Sequence, residues 1–532
     1  MEAIFCEVTA SWTRAAELYS KLWQRNRDFE TAIRLAHVQT LGGLPEKALE
    51  TISQIPAPGS DDPRVIFEKA TAQRFLGKFD EEIKTLRPII SDHPDEDLVR
   101  ATALAEKCWA DYNSRDLNEP LKIALDDCQQ AENIFNDRED ALGQARTLTR
   151  EALIVSDKDN KAPDFSKGMD LQKRAIEIAH ERSAIRDEAG GRQNLANILM
   201  EQTSPDPESA RTEYEKSEQM FNSLGDKAGM AGVSNDQAVR LIDLCRYQDA
   251  LNSAKRARQN WHDIGSADEA IALANQGSME FFLGDLADAE TELKAALSMA
   301  DAQRLNVDRD NWPITLGEIY ADEGKLLLAE QCYKEGPCYD NKQPSTVHKA
   351  EPLTDAIVDY AALQIVEKKT SEAERLAQSA LTDAKAENDP DDEAWARVVL
   401  ANALLAEGKN GLLNPARNAV TGIAAIRPKD CRVGVAAGLT LARIEGRSGN
   451  PDGQKENLTR VLQTAHSLGL LGYMFEATLD QAEADLRAGR SSAARQEAEQ
   501  VLGQSSDRGF QQIKVKASEL VSRAKVGATV GN

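Results

Sequence analysis

Apolar residues recur along most of this chain at helical spacing, with polar residues filling the positions between them. In one representative stretch Leu286, Ala289, Leu293, Ala296 and Leu297 fall on a single face of a helix. Alternating β-branched runs and Asn-Gly hairpin turns, the marks of paired strands, are nearly absent. The pattern therefore predicts an all-α chain.

Short stretches of the chain align with one another: LGGLPEKALETI, LCRYQDALNSAKRA, LGDLADAETELKAAL, EGKLLLAEQCY, EKKTSEAERLAQSAL and RAGRSSAARQEAEQVL. Each closes one helical pattern, turns, and opens a second helix carrying Ala five positions after the turn. The column comprises Ala48, Ala250, Ala289, Ala329, Ala373 and Ala494, and Ala210 occupies it too. Turn glycines Gly43, Gly77, Gly284, Gly324, Gly408 and Gly489 sit just past a helix end, where a left-handed backbone costs glycine nothing. The Ala is small because two antiparallel helices cross closely there. One hairpin cannot bury its apolar face alone, so successive hairpins are expected to stack around a shared core as an α-solenoid.

The Gly-x-x-x-x-Ala turn, with an apolar residue four positions beyond the Ala, resembles the tetratricopeptide (TPR) repeat in a longer version of about 40 residues. The resemblance runs from about residue 11 to 508, strongest over 186–335 and looser over 93–185 and 410–470. It implies a right-handed superhelix of antiparallel helical hairpins whose first helices line a concave groove. A narrower resemblance rests on SWTRAAELYSKLW, AIRLAHVQTLGG, DDPRVIFEKA, IFNDREDALGQA, MFNSLGDKAGMA and DDEAWARVVLANALLAEGK. These segments are similar to the C-terminal TPR region of bacterial serine/threonine protein kinases and winged-helix transcriptional regulators. In that family an effector domain precedes the array, and some members carry a membrane-spanning helix.

The effector is missing from this sequence. No Gly-x-Gly occurs, so there is no Gly-x-Gly-x-x-Gly phosphate loop; no His-Arg-Asp occurs, and Asp164-Phe165 is followed by Ser166 rather than Gly. Ala15 occupies the small-residue column of a second helix, which puts Met1 inside a preceding first helix that is short and uncapped. The array is expected to be truncated there, through lost upstream sequence or a stunted first helix, leaving a hydrophobic edge exposed.

Five stretches follow. Residues 1–92 hold N-terminal hairpins with the first helix truncated, 93–185 irregular helical repeats, and 186–335 the regular block. Residues 336–352, rich in proline and without apolar period, read as a loop, and 353–532 hold the remaining hairpins and a closing helix. The closing helix carries Lys514, Lys516, Arg523 and Lys525, read as the soluble cap of a solenoid end or a contact for an acidic partner.

Composition narrows the function. Of 532 residues, 64 are Lys or Arg and 88 Asp or Glu, a net charge of −24, which argues against phosphate-backbone binding. Aromatics at 5% leave few base-stacking platforms. No apolar run is long enough to span a bilayer, and the acidic start is not a secretory signal. The seven cysteines are scattered, odd in number and never in C-x-x-C, which argues against a disulfide framework or zinc ribbon. Cys332 and Cys338 are close in sequence, but the scatter elsewhere argues against a bond there too. Reduced thiols in a cytoplasmic protein are expected.

Catalytic chemistry finds no foothold. The six histidines are far apart, and Gly77-Lys78, Gly324-Lys325 and Gly408-Lys409 lack the Ser or Thr of a P-loop. Cys245 reads as a small core residue rather than a nucleophile. The run Asp389-Pro390-Asp391-Asp392-Glu393 suits a helix start, where the dipole favours negative charge, better than a cation site. No catalytic, cofactor-binding or metal-ligating residue is expected. The candidate binding residues are Asn194, Asn235 and Asn275, at equivalent positions on first helices of the regular block. An amide offers two donors and one acceptor, suited to a partner's main chain or, equally, to bonds within the solenoid. The sequence thus points to a non-enzymatic protein-interaction scaffold with a protein or peptide in its groove and no nucleic acid or membrane insertion. The alternative is the regulatory arm of a kinase or transcriptional regulator lacking its effector domain; a small-molecule enzyme is a more distant reading.

Overall fold

The structure, a computed structural model, describes residues 2–8, 12–92, 97–114, 119–157, 160, 162–202, 204–303, 311–335, 353–426 and 428–530. Among them 27 α-helices and three short 3-10 turns follow one another, with no strand. The first are α1 (Glu2–Val8), α2 (Trp12–Asn26), α3 (Phe29–Leu41), α4 (Pro45–Ser53), α5 (Pro63–Phe75), α6 (Phe79–Asp92), α7 (Asp97–Asn113), α8 (Pro120–Asp137) and α9 (Ala141–Ser156). Then come α10 (Phe165–Glu181), α11 (Ile185–Glu201), α12 (Pro207–Ser223), α13 (Lys227–Asp243), α14 (Tyr247–Ile264), α15 (Glu269–Leu283), α16 (Leu286–Gln303), α17 (Asn311–Asp322) and α18 (Leu326–Glu335). The last are α19 (Thr354–Val366), α20 (Thr370–Glu387), α21 (Pro390–Ala406), α22 (Leu413–Thr421), α23 (Cys431–Arg447), α24 (Pro451–Leu468), α25 (Leu471–Arg487), α26 (Ser491–Asp507) and α27 (Gln511–Val530). The loop expected over 336–352 lies outside the described residues.

The local chemistry of each hairpin is the one expected from its sequence. All six turn glycines have positive φ, from 67° at Gly77 to 87° at Gly284. The column alanines are buried: Ala48, Ala250, Ala289, Ala329 and Ala373 are 0% exposed, and Ala210 and Ala494 1%. Where glycine is missing, Cys245, Lys368 and Ser183 adopt the same left-handed backbone. Helix starts are capped by carboxylates, as at Asp389, whose side chain accepts from the backbone N–H of Asp391 and Asp392. That confirms the acidic run as a helix start. The short α1 packs Ala3 and Cys6 into the core and turns Ile4 outward, 47% exposed.

The chain forms two compact units. One comprises Met1–Arg240, Ser253–Ala272 and Met299–Val307; the other Leu241–Asn252, Leu273–Ser298 and Asp308–Asn532. In the first unit α3, α5, α7, α9 and α11 pack each on the next, and among the described residues their hairpin partners make no comparable contact with one another. The first helix of each hairpin is therefore the one that packs on its counterpart in the next, and these serial helices are termed inner. The start of this unit also meets its far end. Thr13 Oγ1 donates to the carbonyl of Gly265 at 2.7 Å, and Gly43 packs against Ala267.

The second unit repeats this logic and closes on itself. Its inner helices α17, α19, α21, α23, α25 and α27 pack in series, and α27 also touches α17. The turn at Gly284 packs on Leu471 and the turn at Gly324 on Gln511. Bare glycine lets these edges approach, because a Cβ at Gly284 would lie 2.8 Å from the Leu471 side chain.

The structure overturns one chemical expectation. Cys108 is bonded to Cys128 across the α7–α8 hairpin, with Cα atoms 5.4 Å apart. Cys245, in the α13–α14 turn, is bonded to Cys431 at the start of α23, with Cα atoms 6.1 Å apart. Cys245 is therefore not simply a core residue, and these four thiols are not reduced. The scatter misled because stacking brings together hairpins that lie 186 residues apart. Cys332, where the sequence argues against a bond, is disulfide-bonded as well, and Cys338, weighed as its partner, lies outside the described residues. No helix among the described residues is long and apolar enough to cross a membrane.

Candidate functional site

The inner helices of the first unit are laced together by side chains. Glu106 on α7 is clamped between Arg74 of α5 and Arg150 of α9. Burial alone would raise the Glu106 carboxyl, but the two guanidinium groups outweigh it and hold it below its ordinary value. Glu82, fully buried beside Arg74, is pushed up to about 7 because desolvation, with Glu106 nearby, exceeds what Arg74 and Arg150 return. Further along, Gln193 and Asn197 of α11 both donate to Asp236 of α13, at 2.7 and 2.8 Å. Arg240 of α13 pairs back to Glu201 of α11 at 2.6 Å.

Asn194 and Asn235 belong to the first unit and Asn275 to the second. Asn194 on α11, Asn235 on α13 and Asn275 on α15 are each half-buried. Asn235 and Asn275 are engaged within the chain.

A second arrangement escaped the sequence reading. Glu318 on α17, Asp355 on α19 and Asp392 on α21 stand 37 residues apart in succession, and Asp322 and Asp359 repeat that interval one helical turn later. All five are half-buried on the inner helices of the second unit. Burial, first, and neighbouring carboxylates, second, push Glu318, Asp322 and Asp392 up to about 7 and Asp359 well above the usual carboxylate range. Glu318, Asp322 and Asp359 have no hydrogen-bond or ion-pair partner among the described residues. The period was the signal available in the sequence.

Cations stand on the later helices of the same unit. Arg443 of α23 reaches Glu476 and Asp480 of α25, each at 2.6 Å, and Lys516 of α27 approaches Glu476 at 3.5 Å. Burial would raise Glu476, but Lys516 and Arg443 outweigh it and hold the carboxyl at about 2. The basic face of the closing helix is thus partly spent on α25, since Arg523 also approaches Glu483 at 3.5 Å. Arg432, the second residue of α23, pairs with Asp430 at 2.8 Å and stacks over Phe282 at 3.8 Å and Trp395 at 5.6 Å. Trp395 Nε1 donates to Asp430 at 3.0 Å, and the Asp430 backbone N–H donates to Asp391 at 2.9 Å. Arg432 is committed to this cluster and lowers Glu318 only partially. Among the described residues no His, Cys, Asp or Glu group is arranged to hold a metal ion.

No protein-family model matches the chain, and no curated protein matches it. Solved structures with similar helical repeats include a signal transduction ATPase with numerous domains bearing a tetratricopeptide repeat sensor, from Pyrococcus horikoshii. It is 15% identical with a TM-score of 0.39, over 60% of this chain and half the length of that one. A Rap protein complexed with competence and sporulation factor is 12% identical with a TM-score of 0.40, over 79% of this chain and 99% of that one. Yeast Tom70 is 12% identical with a TM-score of 0.31, over 91% and 95%. Scores this low decide nothing alone, and it is the pairing of helices, turn by turn, that makes this chain a TPR-like α-solenoid.

Proposed function

We propose that this protein is a non-enzymatic scaffold that binds another protein or a peptide along its inner helices, and that the second unit receives a segment bearing Lys or Arg. The observation that carries this reading is the set Glu318, Asp322, Asp359 and Asp392, which stands in register with Asp355 along successive helices. Glu318, Asp322, Asp359 and Asp392, raised by burial and by neighbouring carboxylates, hold protons more readily near neutral pH; an ammonium or guanidinium entering the same space replaces those protons and relieves the repulsion. The spacing of one acid per repeat suits an extended segment that crosses successive helices. In the first unit the same reading gives Asn194 and Asn235 the task of holding a partner's main chain, and in the second unit Asn275 has the same task. The alternative, a regulatory arm of a kinase or transcriptional regulator, rests on the sequence resemblance alone.

The test is binding of arrayed extended peptides, basic against acidic, followed by fluorescence anisotropy. Basic peptides are expected to bind, with affinity falling as salt rises, and E318Q/D359N/D392N is expected to weaken them at least tenfold. Affinity indifferent to these neutralisations would remove the proposed role of the column. Undiminished affinity in Asn194→Ala/Asn235→Ala/Asn275→Ala would remove the asparagines.

A further inference from the structure

The bonds Cys108–Cys128 and Cys245–Cys431 differ in burial and in backbone setting, both of which govern reduction. Cys108 and Cys128 are both 0% exposed inside one hairpin, sealed by Ala124 and Ile154. Cys245 and Cys431 are half-buried and join hairpins far apart in sequence, both within the second unit. Cys245 sits in a left-handed turn, with φ of 60°, rather than in a helix. Cys431 is the first residue of α23, directly after the capping Asp430, whose carboxylate accepts the Arg432 N–H at 2.9 Å and is paired with the Arg432 guanidinium. A sulfur at a helix N-terminus is stabilised as thiolate, which makes it a good leaving group in thiol exchange.

We propose that Cys245–Cys431 is a reducible clasp on the second unit, whereas Cys108–Cys128 is a permanent staple. The reductant is a small dithiol or a protein dithiol. Its thiolate attacks Cys245 Sγ, the S–S bond breaks, and the electron pair leaves on Cys431 Sγ as thiolate. The second thiol of the reductant, deprotonated, then displaces Cys245 from the mixed disulfide. Two electrons and two protons pass to the cysteine pair, and the reductant departs as its own disulfide.

Once the bond is open, the first turn of α23 is held to the start of α14 and the end of α15 by noncovalent contacts alone. These are Arg432 on Phe282 and the packing of Tyr247 and Leu251 with Val435 and Leu439. The clasp therefore sets how tightly the start of α14 and the end of α15 close on α23. It works independently of what the interior binds.

The test uses the full chain under native conditions. Dithiothreitol is titrated, free thiols are trapped by alkylation and mapped by peptide mass spectrometry, and hydrogen exchange is followed in parallel. Cys245 and Cys431 are expected to be labelled at least tenfold faster than Cys108 and Cys128, with exchange rising over residues 245–252 and 431–439. C245S/C431S is expected to show the raised exchange without reductant and no further response to it. Labelling of all four cysteines together, free Cys245 and Cys431 thiols before any reductant, or reduction with unchanged exchange would each overturn the clasp. Should the double variant fail to fold, the labelling and exchange of the unaltered chain still decide.

Discussion

The guanidinium of Arg432 lies 3.8 Å from the centroid of the Phe282 ring, joining the start of α23 to the end of α15. The same group pairs with Asp430, and Asp430 in turn takes the indole N–H of Trp395 from α21. Three helices of the second unit therefore meet at one arginine. Arg432→Ala strips Asp430 of its counter-charge in a half-buried site and is expected to cost about 3–5 kcal/mol. Arg432→Lys keeps the charge but loses the planar fork and the stacking, and should cost about 1–2 kcal/mol. Denaturant unfolding of both variants, followed by circular dichroism, checks the order and size of these losses.

Stability is expected to fall as pH rises from 5 to 8. The carboxyls of Glu318, Asp322 and Asp392 are raised in the folded protein to about 7, so the stability they contribute is complete below their ordinary range near 4. It is lost as pH climbs through about 7. Glu82 of the first unit, also raised to about 7, adds to the same trend. Glu476, held at about 2, works oppositely, but its stabilisation is complete above its ordinary value and is lost only in strong acid. Between pH 5 and 8 the raised carboxyls decide the slope. Each is expected to contribute on the order of 1 kcal/mol after solvent screening. Thermal unfolding at pH 5 and pH 8 should show a higher Tm at pH 5, and E318Q/D322N/D392N should flatten the difference.

Turn chemistry offers a second check. Lys368 holds φ at 62° between α19 and α20, a backbone that costs a side chain with Cβ roughly 1 kcal/mol or more. Lys368→Gly is expected to raise stability by about 0.5–1 kcal/mol. Gly284→Ala should do the reverse twice over, because φ is 87° and the new Cβ would press on Leu471. A loss of about 2 kcal/mol in equilibrium unfolding is expected.

Those two positions also mark how far the sequence could be read. Gly284 and Ala289 announce a hairpin because a left-handed turn and a close helix crossing each demand a particular small residue. At Lys368 and Cys245 the turn is the same but glycine is missing, and only Ala373 and Ala250 five residues later reveal it. The partnership of Cys245 with Cys431 had no local signal, because it depends on the return of stacked hairpins rather than on any residue near either cysteine. Asp392 shows a different failure. A carboxylate in the first turn of a helix is favoured by the dipole wherever the helix points, so its position concealed its place in a column with Glu318 and Asp355. The asparagines stood out instead, because three amides at intervals of 41 and 40 residues follow the repeat, although bonds within the solenoid account for them equally well.

Glycines inside helices give the sharpest test of the packing, since one substitution carries opposite signs at two sites. Gly190 on α11 has open space where a Cβ would stand, so Gly190→Ala exchanges a poor helix former for the best one. A gain of about 0.5–1 kcal/mol is expected. Gly277 on α15 faces α16 at the hairpin crossing, where a Cβ would lie 2.9 Å from Leu293 and 3.2 Å from the Ala289 carbonyl oxygen. Leu293 and Ala289 are fully buried and have no room to retreat. Overpacking of this kind costs about 1–3 kcal/mol, which exceeds the gain in helix propensity, so Gly277→Ala is expected to destabilise. Both variants measured by the same denaturant titration should move in opposite directions from the parent. A gain at Gly277 would mean that α15 and α16 do not cross where the small column places them, and the close packing attributed to every Ala in that column would lose its basis.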